Sequence, residues 1–220
     1  MSADVSFKEY AIVACGTMSP ELNHLAETGF LDAAKIIYTA PGLHQKPLEL
    51  EKQLLKQLSE AKKYARKIII VYGGTYCYIN VREPLRTIDT VIDGMREEGY
   101  YIARTIVHNC VDMVASTEER DEIAAGGKIW FCTPGWLKYR NNVFEGWDKA
   151  HANENFPQYT GGAVMLDGVG LFNRYMEEKV EEILDFSDWM GIPLEARDVS
   201  LERFKNVLIA AMAEEDKPVS

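Results

Sequence analysis

No apolar run in this sequence approaches the roughly 20 consecutive residues that a membrane-spanning helix needs. Met1-Ser2-Ala3-Asp4 offers neither the basic nor the apolar stretch of a secretion signal. The expectation is a cytoplasmic protein with no membrane partner. Basic residues are also scarce, 24 Lys and Arg against 34 Asp and Glu, giving a net charge of -10. A nucleic-acid binder needs a basic face to displace the counterions of phosphate. No nucleic-acid partner is therefore expected, and small molecules or other proteins take that place.

Several signatures are missing too. Gly73-Gly74-Thr75 is not followed by Gly-Lys-Ser/Thr and is not GxGxxG, so it is no P-loop or dinucleotide fingerprint, and no Gly-x-Ser-x-Gly elbow occurs. Cysteine is limited to Cys15, Cys77, Cys110 and Cys132, separated by 62, 33 and 22 positions. That irregular set is not a disulfide framework, so reduced thiols are expected. It matches no standard iron-sulfur spacing either.

What is present alternates between apolar runs and amphipathic stretches. Tyr10 to Ala14, Ala34 to Tyr38, Lys67 to Tyr72, Tyr101 to Val107 and Lys128 to Cys132 read as strands. Lys67 to Tyr72 is β-branched without alternation, as suits a central parallel strand covered on both faces. Ser19-Pro20-Glu21 opens a helix with Ser19 as N-cap, Leu48 to Arg66 repeats Leu50, Leu54, Leu55, Leu58 and Ala61 at helical spacing, and Pro84 to Glu98 and Thr117 to Ala125 are helical. The resulting expectation is an α/β fold: a mostly parallel, doubly wound sheet with helices on both faces, a single domain over 10–213 after a short lead at 1–9. The part at 137–213 is more helical, with a helix from Leu137 to Lys149, a polar irregular stretch from His151 to Gly162, short strands near 163–166 and 194–197, and one long acidic helix from Gly170 to Met190. A frayed tail covers 214–220.

In such sheets ligands bind beyond the carboxyl ends of the strands, where Cys15, Cys77, Cys110 and Cys132 all fall. His108-Asn109-Cys110 places an imidazole and a thiol two positions apart, on one face if the chain is extended, as half of a metal site suited to zinc. Cys77 and Cys15 are the candidates to complete it. The alternative is that Cys110 is a small buried apolar residue and His108 a hydrogen-bonded strand end. Gly73 and Gly74 either cradle an anionic cofactor at a helix start or mark a tight turn where backbone meets backbone. His44, in a loop between two prolines, and Trp136, after Pro134-Gly135, are candidate pocket residues with catalytic roles, or a surface residue and a core residue respectively.

Together, Ala14-Cys15-Gly16, Pro20-Glu21-Leu22, Pro41 to Pro47, Tyr72-Gly73 with Cys77, His108-Asn109-Cys110, Glu119-Arg120 and Thr133-Pro134-Gly135-Trp136 resemble the ordered pattern of domain of unknown function family 1638. Trp147-Asp148-Lys149 and Asn153 to Pro157 resemble one branch of it. The resemblance picks out Cys15, His44, Cys77, His108 and Cys110, though the loop cysteine stands later than in the commoner Tyr-Gly-Leu-Cys form. Family members are often encoded near corrinoid-dependent methyltransferases, which implies one-carbon metabolism by association. On that footing the expectation is a zinc-dependent, methyltransferase-like protein with a corrinoid or tetrahydrofolate cofactor, acting on a small-molecule methyl donor or acceptor. The alternatives are an accessory protein that binds a metal, a corrinoid protein or a methyltransferase partner, and an iron-sulfur redox protein.

Overall fold

The apolar runs form strands, and the strands divide between two sheets. In the computed structural model, which describes residues 5–74, 83, 87–97 and 99–213, the first half runs β1 (Tyr10–Cys15), α1 (Ser19–Glu27), β2 (Lys35–Thr39), α2 (Pro47–Ala61), β3 (Lys67–Val71), α3 (Ile88–Glu97) and β4 (Tyr101–Arg104). The second half runs α4 (Thr117–Ala124), β5 (Trp130–Cys132), α5 (Pro134–Lys138), α6 (Arg140–Val143), α7 (Lys149–Asn155), β6 (Ala163–Asp167), α8 (Leu171–Glu178), α9 (Val180–Met190), β7 (Leu194–Asp198) and α10 (Glu202–Ala213). All pairings are parallel, in the orders β2-β1-β3-β4 and β5-β6-β7. The fold is thus the parallel α/β class that the strand-helix alternation implies.

Alternation within the strands sorts the core. Ala11, Val13, Ile68 and Ile70 face α2 and α3, where Leu50, Leu54 and Leu58 are wholly buried, each leucine worth about 2 kcal/mol in area removed from water. Ile12, Ala14, Ile69 and Val71 point the other way, into a cluster that takes in Leu22 and Leu25 of α1, Val164 and Leu166 of β6, and Phe204 and Leu208 of α10. This one apolar layer therefore includes residues of both sheets. Met165 packs with Phe144, Phe156 and Phe186 on the far side of the second sheet.

Some boundaries differ from those expected. Ser19 is already helical because a 3-10 turn, Gly16–Met18, runs straight into α1, and its hydroxyl bonds to the Tyr139 hydroxyl (2.8 Å) instead of capping. The acidic helix is two helices, broken at Lys179 (φ -152°). The polar stretch after Trp147 holds α7, started by Asp148, whose carboxylate accepts the His151 N–H at 2.8 Å. No helix among the described residues is long and apolar enough to cross a membrane.

Candidate functional site

The order β2-β1-β3-β4 fixes where a ligand crevice belongs. From β1 the chain moves outward to β2, and from β3 it moves outward to β4 on the opposite side, so the switch point lies between the carboxyl ends of β1 and β3. Cys15 is the last residue of β1. A side chain on the next residue would be impossible, since a Cβ on Gly16 would lie 2.5 Å from the Thr39 carbonyl oxygen and 2.9 Å from the Pro41 nitrogen. The loop after β2 thus closes over the end of β1. Beside it the buried hydroxyls of Thr39 and Tyr72 hydrogen-bond to each other.

A second loop reaches the same point from β4. Thr105 ends the strand by tying itself to β3, its N–H donating to Ile70 O (3.0 Å) and its hydroxyl to Tyr72 O (2.9 Å). The chain then folds back over two bare glycines. A Cβ on Gly74 would meet Val107 O at 2.0 Å, and one on Gly73 would meet Cys110 N at 3.0 Å. Crossing there brings the Cys110 thiol into a hydrogen bond with Cys15. The Cys15 thiol also meets the Thr17 hydroxyl at 3.0 Å. Donation from Cys110, and then from the Thr17 hydroxyl and N–H, outweighs burial and lowers the Cys15 thiol to about 7. Accordingly, Cys110→Ala should raise the Cys15 pKa, because burial then acts with less opposition. A pH titration of ultraviolet thiolate absorbance reads this directly, and an unmoved midpoint would remove Cys110 from the role.

The structure brings some candidate residues together and separates others. Cys15 and Cys110 meet. His108 is exposed, on a stretch that bends rather than extends, and Cys110 itself has helical backbone (φ -63°, ψ -31°) leading into a 3-10 turn. The rule that residues i and i+2 share a face holds for strands, and this strand stops at Arg104, not Val107. Cys77 and the side chain of His44 lie outside what the structure describes. Among the described residues no three His, Cys, Asp or Glu side chains converge as a metal site. Cys132 is wholly buried, and burial drives its thiol far above the ordinary range. The Trp136 ring packs edge-on to Trp130, with centroids 5.5 Å apart, and against Phe144.

A family model described as a protein of unknown function, DUF1638, matches residues 38–208. The chain belongs to the DUF1638 family. No curated protein and no solved structure is detectably similar to it. The match takes in His44, Cys77, His108 and Cys110 and begins after Cys15.

The geometry gives the DUF1638 motifs physical reasons. Glu119 completes a capping box with Ser116 at the start of α4, and Arg120 forms an ion pair with the buried Asp112. Asp112 accepts the His108 N–H (3.0 Å), donates its own N–H to the Asn109 side chain (3.1 Å), and its carbonyl accepts from Arg203 (2.6 Å). The Glu119-Arg120 pair therefore braces the loop that presents Cys110. Gly42 and Gly135 mark contacts between the first four strands and the second half. A Cβ on Gly42 would lie 2.6 Å from Asn142 O, and one on Gly135 would lie 1.7 Å from Thr17 O.

A further buried polar group lies on α1. Glu21 of α1 is fully buried, and neither of its carboxylate oxygens has a hydrogen-bond partner among the described residues. An acidic residue in the first turn of a helix reads as an ordinary partner of the helix dipole, which is why the sequence conceals it. Thr133 is likewise fully buried, and its hydroxyl has no hydrogen-bond partner among the described residues.

Proposed function

We propose that the crevice at the ends of β1 and β3 is a thiolate site that holds zinc and serves methyltransferase-like chemistry of corrinoid or folate one-carbon metabolism. The observation that carries this reading is the meeting of Cys15 and Cys110 at the topological switch point, with one thiol acidified. Two thiols suit a soft divalent ion, and a third ligand leaves a position open. Cys77 and His44, which follow β3 and β2 in the sequence, are the candidates for it. Cys15 and Cys110 would hold the ion, which would supply a Lewis-acidic centre able to keep an incoming substrate thiol ionised, the form that accepts a methyl group.

Elemental analysis tests this on protein purified without oxygen and without added metal. Zinc stoichiometric with the chain is expected, lost from Cys15→Ser and from Cys110→Ser while their circular dichroism stays that of the parent. Full zinc in both variants would end the proposal. His108→Ala retains zinc if the third ligand is Cys77 or His44 and loses it if the loop turns His108 inward. Iron with a visible absorption band would assign the site to redox chemistry instead.

An accessory role is the second reading, and one feature favours it. Helix α9 exposes Glu181, Leu184 and Asp185 together, with Leu184 at 60% exposure, as a docking face for a methyltransferase or corrinoid protein would. A closed site with four protein ligands would favour it over catalysis.

A further inference from the structure

The aromatic residues of the second half do more than fill a core. Phe144, Trp147, Phe186 and Trp189 line an open cavity of about 420 Å³, with Arg140, Asn141, Glu145 and Asp185 at its edge. That volume is within the usual range for small-molecule sites, which favour junctions between structural units. This one lies at such a junction. Glu145 is paired with Lys46, from the loop after β2 that carries His44, and the same loop packs its Gly42 against Asn142.

The sequence builds the cavity wall deliberately. In the motif Trp147-Asp148-Lys149, Asp148 caps α7, and His151 of that helix stacks on Trp147 with centroids 4.1 Å apart and planes 15° from parallel. The indole is thereby held from one side by a ring that belongs to its own helix start. Trp147 and Trp189 lie 6.4 Å apart at 43°, and Phe186 and Trp189 are stacked at 5.9 Å. These rings already touch one another, so they form a floor for a flat ligand and not a slot that grips both of its faces.

The charges at the edge decide the class of ligand. Arg140 donates to the Glu182 carbonyl at 2.7 Å and lies 3.8 Å from the Asp185 carboxylate, while Glu145 is held by Lys46. Each of these charges thus has an opposite or polar partner, and among the described residues of this edge the pairs leave no net charge to select an ion. Asn141 adds one side chain that both donates and accepts. We propose that this cavity binds an uncharged, planar heteroaromatic ring, held by stacking on the tryptophan floor and oriented by the polar edge. The site is separate from the thiol crevice and does not depend on its assignment.

Tryptophan fluorescence tests the proposal on the intact chain, with adenosine, caffeine and thymidine as neutral heteroaromatic probes and tetramethylammonium and benzoate as ionic ones. The expected result is quenching that saturates with at least one neutral probe and is unchanged by added salt. In Trp147→Leu the affinity for that probe should fall about tenfold, because one stacking surface is lost. Saturation-transfer NMR on the unaltered protein gives the same answer without a variant, through transfer to the ring protons of the probe. Saturable, salt-sensitive quenching by tetramethylammonium or benzoate alone would overturn the neutral class. Linear, unsaturable quenching by every probe, with no saturation transfer, would show the cavity to be merely the outer face of an aromatic core.

Discussion

Glu21→Gln is expected to be more stable than the parent from neutral to alkaline pH, and to lose most of the parent's dependence of stability on pH. Glu21 has no exposed surface, and burial is the main reason its carboxyl is pushed up to about 8. Asp167 on β6 adds to that shift as a like charge, and Lys138 on α5 works against it. Tyr38 and Cys132 are the other titrating groups near enough to feel Glu21, and both are pushed up and remain neutral. The folded state therefore keeps a proton that the unfolded chain releases near its ordinary carboxyl pKa, roughly 4.3.

The sign follows from linkage. A folded pKa above the unfolded one gives stability that is complete below the unfolded pKa and lost as pH rises toward the folded value. Between pH of about 4 and 8 the loss is on the order of 5 kcal/mol, at about 1.4 kcal/mol per pH unit. Glutamine has the same shape and never ionises, so parent and variant should coincide near the acid end and diverge steadily above it. Urea denaturation at a series of pH values measures the difference. Two parallel curves would mean that Glu21 is already ionised and paired in the folded protein.

Much of the fold was legible because its signals are local. Lys67 to Val71 shows a buried parallel strand by composition alone, and Leu50, Leu54 and Leu58 mark one helix face by spacing. Which strands pair is not local information. Nothing in Trp130-Phe131-Cys132 says that it joins β6 and not the end of the first sheet, because any parallel strand offers the same backbone ladder. The site was legible to the same extent. Strand polarity predicted that the cysteines gather near one edge, but the meeting of Cys15 with Cys110 depends on a loop crossing two bare glycines. Cys132 shows the limit, since it ends a strand as Cys15 does yet belongs to the core of the other sheet. His108 and Cys110 do not share the extended face that their spacing suggests, because the strand ends at Arg104 and Cys110 has helical backbone.

The contact between Gly135 and Thr17 predicts the largest effect of a single methyl group. In Gly135→Ala the added carbon would lie 1.7 Å from Thr17 O and 2.6 Å from Thr17 C. Both are backbone atoms, so no side-chain rotation relieves the overlap, and either α5 or the turn after β1 must move. Overpacking of this kind costs about 3 kcal/mol or more, which in a chain of this size lowers the melting temperature by roughly 6 to 12 °C. The consequence extends to the thiols. Thr17 donates to Cys15 through both its hydroxyl and its N–H, so a displaced turn should also raise the Cys15 pKa. Gly94 supplies the control. It lies inside α3 with open space where a Cβ would stand, so Gly94→Ala should stabilise by about 1 kcal/mol through helix propensity. The same chemical change thus has opposite signs at two glycines. Equal melting temperatures for Gly135→Ala and the parent would show that the first sheet and α5 are not held in this contact, and with it would go the link between the second half of the chain and the acidity of Cys15.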